Sequence, residues 1–303
     1  PVIRSYPDLK LWAEGVLARR NEREVTIRAD QLVPSSNTGG PNQENGKSDD
    51  RSENEYQIPY VAFSKVSDPT TMIPANLSGV IYEALNGIKN RRGDIDEYVG
   101  HELELTAAQL KERFVAEQVD ALAMIFDAQD SRKGFLLADR MGVGKGRVLA
   151  AAAVYAHSKG QVPVFFSVTS NLFTDLLERD IADIGFRDRF KNVLILNGDA
   201  KTLDANGNVS VKPPPAARLN AMFSEQQLPR GTDLVMLTYS QISRETGKSK
   251  KADFLANVAA HTPLALLLDE SHNAAGESFT STNIQRMIDA NSQHGAVLYA
   301  SAT

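Results

Sequence analysis

The sequence predicts an α/β fold in which a parallel β-sheet lies between two layers of α-helices. Three observations support this prediction. Short runs of consecutive apolar residues recur from about residue 135 to the end of the 303-residue chain, and helical patterns separate several of them. Glycine-rich and acidic segments follow directly after two of these runs. Continuous apolar strands that alternate with helices are typical of a parallel sheet buried on both faces.

Six apolar runs are the candidate strands of this sheet. They comprise residues 135–138, 162–168, 193–196, 234–238, 264–268 and 296–299. The clearest helical pattern covers residues 171–184, where Leu172, Leu176, Ile181 and Ile184 lie near one face. We expect Ser170 to cap the start of this helix and Gly185 to follow its last turn. The segment 199–230 is predicted to be an insertion between strands.

The chain before the sheet divides by composition into three predicted parts. Residues 1–33 form an N-terminal flank with a short amphipathic stretch. Residues 34–57 are mainly polar and rich in Gly, Ser and Asn, which predicts a flexible linker. Residues 58–106 contain helical patterns at 77–88 and 94–105 and form a predicted helical extension. The α/β lobe is then expected to cover residues 107–303.

Bulk composition excludes several classes of protein. The chain has no cysteine, which excludes a disulfide framework and any cysteine-ligated zinc. No apolar stretch is long enough to span a membrane, and the sequence begins without the pattern of a signal peptide. These features fit a cytoplasmic protein. Since the formal net charge is −5, any contact with nucleic acid must be made by local loops.

A glycine-rich loop with a lysine follows the first predicted strand and precedes an Ala-rich helix. Strand, glycine turn, lysine and helix form the arrangement that holds a nucleotide triphosphate, because backbone N–H groups and the helix N-terminus attract phosphate. Lys145 would bind the β and γ phosphates. The alternative is a tight turn that lets a helix pack closely on the sheet. The candidate nucleotide-binding residues are Asp139, Met141, Gly142, Val143, Gly144, Lys145, Gly146 and Arg147.

This loop departs from the usual phosphate-loop pattern at two positions. Asp139 stands where the first glycine is expected, and Gly146 stands where a Ser or Thr normally follows the lysine. Gly146 therefore removes the hydroxyl that ordinarily binds Mg²⁺, and we expect water to fill that coordination position.

Two carboxylates follow the apolar run at 264–268. Asp269 would hold Mg²⁺, and Glu270 would act as the general base on the attacking water. The alternative is a solvated acidic turn that caps the next helix. His272 is either a structural hydrogen-bonding residue or a residue that couples the nucleotide state to other loops. It lacks neighbouring ligands for a zinc site.

These motifs together resemble the strawberry notch family of superfamily 2 helicase-like proteins. The resemblance rests on Gly-x-Gly-Lys-Gly-Arg at 142–147, Asp-Glu-Ser-His at 269–272 and Tyr-Ala-Ser-Ala-Thr at 299–303. Residues 165–185 and 238–240 are similar to the family's motifs Ia and Ib, and the segments at 72–77 and 93–96 are similar to bacterial and phage members. The resemblance covers residues 58–303. It implies a RecA-like P-loop NTPase lobe that binds ATP and Mg²⁺ and works on nucleic acid, most simply DNA.

The resemblance also implies roles for individual residues. Gln118 would read adenine, with Gln109 as a competing candidate. Residues at three strand ends would contact a nucleic-acid backbone or couple that contact to ATP hydrolysis. They are Ser167, Thr169, Thr238, Ser240, Ser301 and Thr303, with His272 in the coupling group. For Ser167, Thr169, Thr238 and Ser240, the alternative is an ordinary structural role in turns and helix caps.

Beyond these residues, the resemblance implies partners and limits. A second RecA-like lobe, absent from this chain, would supply an arginine finger, so we expect the isolated chain to bind ATP weakly and hydrolyse it slowly. Family members from phages and plasmids join such a lobe to a methyltransferase-like region and act in DNA protection or antirestriction, which makes phage association an expectation too. Two alternatives to a motor remain: a non-catalytic ATP-gated scaffold and a small-molecule phosphotransferase.

Overall fold

The computed structural model describes residues 57–139 and 144–302. The predicted N-terminal flank and most of the predicted linker lie outside the described residues, as do residues 140–143 and Thr303. The described residues form two compact units. The larger unit contains residues 102–104 and 124–302, and the smaller unit contains residues 57–101 and 105–123.

The smaller unit combines a short β-hairpin with helices. Strand β1 pairs antiparallel with β2. The helix α4 begins in this unit and its last residues belong to the larger one. The elements are β1 (Gln57–Pro59), β2 (Met72–Pro74), α1 (Ala75–Arg92), α2 (Ile95–Leu103), α3 (Ala107–Arg113) and α4 (Ala116–Asp130).

A buried carboxylate on α4 organises the loop of this hairpin. The side chain of Asp120 accepts a 2.8 Å hydrogen bond from the Tyr60 hydroxyl. It also accepts from the main-chain N–H groups of Phe63, at 2.8 Å, and Ser64, at 2.9 Å. Asp120 is fully buried. Because these three donors satisfy the carboxylate, its role here is to hold the loop.

The larger unit is built on a six-stranded sheet in which every neighbouring pair of strands is parallel. The strand order is β3-β10-β9-β4-β8-β5, and a separate two-stranded antiparallel pair, β6–β7, lies between β5 and β8 in the chain. All six predicted strands are confirmed, with small shifts at their ends. The strands are β3 (Gly134–Asp139), β4 (Val162–Ser167), β5 (Val193–Ile195), β6 (Thr202–Leu203), β7 (Val209–Val211), β8 (Leu234–Thr238), β9 (Leu264–Leu268) and β10 (Ala296–Ala302).

Helices cover both faces of this sheet. The alternate residues Leu264, Leu266 and Leu268 of β9 belong to one apolar core together with residues of the two helices Lys250–His261 and Phe279–Asn291. Ala265 and Leu267 are equally buried and point to the opposite face, since side chains alternate along a strand. The result is the predicted three-layer, RecA-like α/β fold. In chain order its helices are α5 (Lys145–Ser158), the composite α6 described next, α7 (Ala216–Glu225), α8 (Lys250–His261) and α9 (Phe279–Asn291).

The helix α6 differs from its prediction in two respects. Its middle turn, Asp175–Asp180, is a π-helix between the α-helical pieces Asn171–Thr174 and Ile181–Asp183. The prediction that Ser170 caps its start was wrong: the side chain makes no capping hydrogen bond, and its backbone is already helical rather than extended. Gly185 does follow the last turn in a left-handed conformation, at φ 82°.

The predicted insertion at 199–230 contains β6, β7 and α7 and lies between two strands of the sheet.

Within the described ranges, no helix has the length and apolarity needed to cross a membrane.

Candidate functional site

The carboxyl ends of all six parallel strands lie at one edge of the sheet, and the sequence places polar residues there. Strand β10 lies between β3 and β9, and its register pairs Ser301 with Ala138 and Tyr299 with Leu268. Ligands of open α/β sheets bind at this edge. The predicted site residues at or just after strand ends are Asp139, Ser167, Thr169, Thr238, Ser240, Asp269, Glu270 and Ser301.

The predicted phosphate loop connects β3 to α5. Strand β3 ends at Asp139, and the 14-residue helix α5 begins at Lys145. Gly144 precedes it in a left-handed conformation, at φ 82° and ψ 37°, which a glycine adopts without strain. The loop residues Met141, Gly142 and Val143 lie outside the described residues. The N-terminal turn of α5 therefore presents backbone N–H groups at the sheet edge, where they can bind phosphate oxygens.

The first turn of α5 faces the composite helix α6. One nitrogen of the Arg147 guanidinium lies 3.3 Å from a carboxylate oxygen of Asp183. Gly146 faces Asp180, whose carboxylate fills the space beside its α-carbon. Two acidic residues of α6 thus border the candidate phosphate site.

The acidic strand end has an unusual backbone. The main-chain N–H of Asp269 donates to the carbonyl of Phe166 at 3.0 Å and so continues the ladder between β9 and β4. Glu270 then adopts a left-handed conformation, at φ 47° and ψ 53°. This conformation is strained for a residue with a side chain, and such strain is typical of functional sites. The Glu270 N–H donates to the Asp269 carboxylate at 3.0 Å.

The electrostatics of Asp269 suit a cation ligand. Burial, and next the negative charge of Glu270, raise the pKa of Asp269 to about 6, although the Lys145 ammonium opposes the rise. At neutral pH the side chain is thus a poorly hydrated carboxylate that a cation would stabilise. Mg²⁺ is commonly held by one or two carboxylates together with substrate phosphates, so Asp269 fits this role. No cluster of three His, Asp or Glu side chains suited to a metal occurs in the described part of the chain.

His272 connects Glu270 to the end of β10. Its Nδ1 lies 3.3 Å from the Ser301 hydroxyl and 3.5 Å from a carboxylate oxygen of Glu270. Its Nε2 lies 3.0 Å from the side-chain amide of Asn273, which also donates to the Glu270 carbonyl at 2.9 Å. The imidazole therefore bridges two predicted site residues. Thr303, predicted to act with Ser301, lies outside the described residues.

The four hydroxyl residues predicted to contact nucleic acid fall into two pairs. Ser167 and Thr238 are buried, and their hydroxyls make internal hydrogen bonds: Ser167 donates to the Thr169 carbonyl at 2.8 Å, and Thr238 accepts from the Asn197 amide at 2.9 Å. Thr169 and Ser240 are exposed. Among these four residues, Thr169 and Ser240 are therefore the ones with solvent access, and the nucleic-acid role of all four stays a prediction.

The two candidates for adenine recognition belong to the smaller unit. Gln118 is 7% exposed, and its side-chain oxygen accepts from the Val115 N–H at 3.2 Å. Gln109 forms a capping box with Thr106 at the start of α3. Both side chains thus have a local structural role, and recognition of adenine remains a prediction for Gln118.

The comparison with protein families agrees with this geometry. The family model described as P-loop containing NTP hydrolase pore-1 matches residues 88–303, which is 216 of the 303 residues. The chain belongs to this family. No curated protein is similar enough to the chain to count as a match.

Membership of a P-loop NTP hydrolase family indicates that the chain binds a nucleotide, and the β3–α5 connection remains its predicted nucleotide-binding loop. Lys145 and the N–H groups of α5 are the groups predicted to face the phosphates. The acidic end of β9 is the predicted source of the carboxylates for Mg²⁺ and water.

Three residues that contact the predicted site residues of this P-loop protein were not predicted from the sequence. Asp180 lies against Gly146, Tyr239 donates a hydrogen bond to the Asp269 carbonyl, and Asn197 holds Thr238. The glycine at position 146 was the available signal for Asp180, because a residue without a side chain leaves room for a neighbouring side chain to approach the backbone. Tyr239 and Asn197 act through folded contacts between strand ends that are distant in the sequence, so no local pattern could reveal them.

Proposed function

We propose that this chain is the ATP-driven motor lobe of a helicase- or translocase-type protein that moves on or remodels DNA. The observation that supports this most directly is the link from Glu270 through His272 to Ser301. It connects the group that would activate water to the strand end whose residues couple hydrolysis to nucleic acid in the strawberry notch family. The same resemblance extends the proposal to DNA protection in phages or plasmids.

The chemistry assigned to the site is hydrolysis of the terminal phosphate. Lys145 binds the β and γ phosphates, and Asp269 holds Mg²⁺, which neutralises phosphate charge when bound. Glu270 accepts a proton from the attacking water as the water oxygen bonds to the γ-phosphorus. The bond from the γ-phosphorus to the β–γ bridging oxygen breaks, and ADP and phosphate leave.

Contact with DNA is assigned to the exposed hydroxyls at the same edge. Thr169 follows β4 and Ser240 follows β8, so the two belong to neighbouring strands. Hydroxyls and main-chain N–H groups position a phosphate backbone without reading its sequence. Such contacts suit a protein whose net charge is −5 and which therefore has no broad electrostatic attraction for DNA.

The test is ATP hydrolysis with and without duplex DNA by this chain mixed with a second RecA-like lobe, the partner that the resemblance implies. It compares the wild type, Lys145→Ala and Glu270→Gln. We expect DNA to stimulate turnover and both variants to lose it, with Glu270→Gln lowering the rate by about 10²- to 10⁴-fold while ATP still binds. Glu245→Gln is the matched control, because Glu245 is exposed and pairs only locally with Lys248. ATP binding without turnover, indifferent to DNA, would contradict the motor and favour an ATP-gated scaffold.

A further inference from the structure

The space beside Gly146 is filled by a carboxylate. A β-carbon built on Gly146 would lie 2.2 Å from Oδ2 of Asp180 and 3.1 Å from its Cγ. The 2.2 Å contact is shorter than a β-carbon tolerates and the 3.1 Å contact is tight, so neither Ser nor Thr fits at position 146 unless the Asp180 carboxylate moves. An oxygen of Asp180 therefore lies close to where the hydroxyl of the usual Ser or Thr would be.

The fold holds Asp180 in this place. Asp180 is the last residue of the π-helical turn of α6 and is only 8% exposed. π-Helical turns are rare and occur often at functional sites. Arg179 donates to Asp180 from Nε at 3.1 Å and from Nη2 at 3.4 Å, and it also contacts Asp175 at 2.9 Å. A carboxylate has about four acceptor positions, so these two hydrogen bonds leave capacity for a further partner.

The charge of Asp180 acts on the same site as Asp269 and Lys145. After burial and Glu270, the negative charge of Asp180 contributes to the raised pKa of Asp269, while the Lys145 ammonium opposes it. The three side chains therefore share one electrostatic environment at the start of α5. Two carboxylates beside a bound phosphate chain form an all-oxygen set of the kind that Mg²⁺ prefers.

We propose that Asp180 supplies the Mg²⁺ ligand that the Ser or Thr hydroxyl supplies in other phosphate loops, so that Gly146 and Asp180 work as a pair. This inference rests on the proposed function, since it requires Mg²⁺ and a nucleotide at the loop. A carboxylate carries a full charge that a hydroxyl lacks, so the substitution strengthens the dependence of nucleotide binding on Mg²⁺. The competing explanation is that Asp180 only packs against the glycine and pairs with Arg179.

The experiment compares the affinity for a fluorescent ATP analogue in Mg²⁺ and in EDTA. In the wild type we expect Mg²⁺ to tighten binding. In Asp180→Asn, which keeps the side-chain shape and removes the charge, the Mg²⁺ concentration needed for half of this effect should rise by about 10- to 100-fold. Asp175→Asn is the matched control, because Asp175 shares Arg179 with Asp180 but belongs to the opposite end of the π-turn. Its Mg²⁺ requirement should match that of the wild type.

A second pair of variants tests whether the Asp180 carboxylate replaces the usual hydroxyl. Recovery of binding by the double variant would also show that the protein still folds. Gly146→Thr alone should lose Mg²⁺-dependent binding, because the new side chain collides with Asp180. The double variant Gly146→Thr with Asp180→Ala restores the ordinary hydroxyl. Its Mg²⁺-dependent binding should exceed that of Gly146→Thr alone and that of Asp180→Ala alone.

The outcomes separate this assignment from the proposed function. A wild type that binds the analogue with Mg²⁺, together with an unchanged Mg²⁺ requirement in a folded Asp180→Asn, would overturn the role of Asp180 alone. A wild type that binds no nucleotide would overturn both proposals.

Discussion

The hydroxyl of Tyr239 donates a 2.7 Å hydrogen bond to the main-chain carbonyl of Asp269. Tyr239 follows β8 directly, and Asp269 follows β9, so this bond joins two strand ends that are separated by β4 in the sheet. The ring of Tyr239 stacks on Phe166 of that middle strand, with 6.0 Å between the ring centroids. Burial, reinforced by Asp269 and Glu270, raises the pKa of Tyr239, so the hydroxyl keeps its proton. The acidic strand end and the loop with Ser240 are therefore rigidly connected.

Replacing Tyr239 with Phe tests this connection. The ring packing remains, while the Asp269 carbonyl loses its donor. We expect the free energy of unfolding to fall by about 0.5–1.5 kcal/mol and the DNA stimulation of ATP hydrolysis to weaken. Tyr299→Phe makes the same chemical change on β10 and should leave the stimulation intact. Equal stimulation in the wild type and Tyr239→Phe would show that the connection carries no coupling.

His272 and Ser301 are expected to affect the chemical step rather than nucleotide binding. The imidazole lies within 3.5 Å of Glu270 and 3.3 Å of Ser301, so it positions the carboxylate that would activate water. We predict that His272→Ala and Ser301→Ala each lower kcat by roughly tenfold and leave the KM for ATP nearly unchanged, since small misplacements at a reacting centre are costly. His261→Ala is the control. His261 is the last residue of α8 and precedes the start of β9, whereas Glu270 follows the other end of that strand. A rise in KM with unchanged kcat would place His272 in nucleotide binding instead.

The sequence was sufficient to predict the sheet and the polar residues that follow its strand ends. Runs such as Leu264–Leu268 are apolar throughout because the strand is buried on both faces, and polar residues appear where such a strand ends. Gly144 is recognisable because a left-handed residue directly before a helix favours glycine. Lys145 is recognisable from the Gly-Lys spacing of a phosphate loop.

The missed features depend on contacts between segments far apart in the chain. Asp180 looked like an ordinary polar residue of a helix, and only folding brings it against Gly146. The π-helical turn that places it has no period that a window of apolar residues could reveal. Ser170 failed as a cap for a related reason: its backbone is already helical, which the sequence does not show.

The pair formed by Glu178 and Arg187 predicts a pH-dependent stability of α6. Two nitrogens of Arg187 contact the two carboxylate oxygens of Glu178 at 2.9 and 3.0 Å. Burial pushes the pKa of Glu178 upward, but the hydrogen bonds from Arg187 and its neighbours outweigh burial and hold the pKa below its ordinary value of 4.5. The folded state thus binds the proton less readily than the unfolded state. Its stabilisation is present above pH 4.5 and is lost as the pH falls through the lowered pKa.

Glu178→Gln should therefore lower the free energy of unfolding by about 1–3 kcal/mol at neutral pH, and the difference from the wild type should shrink in acid. Urea unfolding at neutral pH and at pH values below 4.5 measures this difference. The exposed pair of Glu104 with Arg189 provides the control, since Glu104→Gln should cost less than about 1 kcal/mol. If the difference in unfolding free energy between Glu178→Gln and the wild type did not change with pH, the negative charge assigned to Glu178 would be contradicted.

Asp120 is predicted to be essential for the stability of the smaller unit. Asp120→Ala leaves the hydroxyl of Tyr60 and two main-chain N–H groups without their acceptor. We expect the free energy of unfolding to fall by about 1–3 kcal/mol for each donor that stays buried. Asp68→Ala, at an exposed position of the same hairpin loop, should change stability little. Hydrogen exchange of the Phe63 and Ser64 amides would report the effect locally, and unchanged protection would contradict it.

We propose that one edge of the sheet binds Mg²⁺–ATP and communicates with DNA. The most direct test is the affinity of the protein for a non-hydrolysable fluorescent ATP analogue, with Mg²⁺, in the absence and presence of saturating duplex or single-stranded DNA. We expect DNA to tighten nucleotide binding by about fivefold or more, and the nucleotide to tighten DNA binding by the same factor. Identical nucleotide affinities with and without either form of DNA would contradict it.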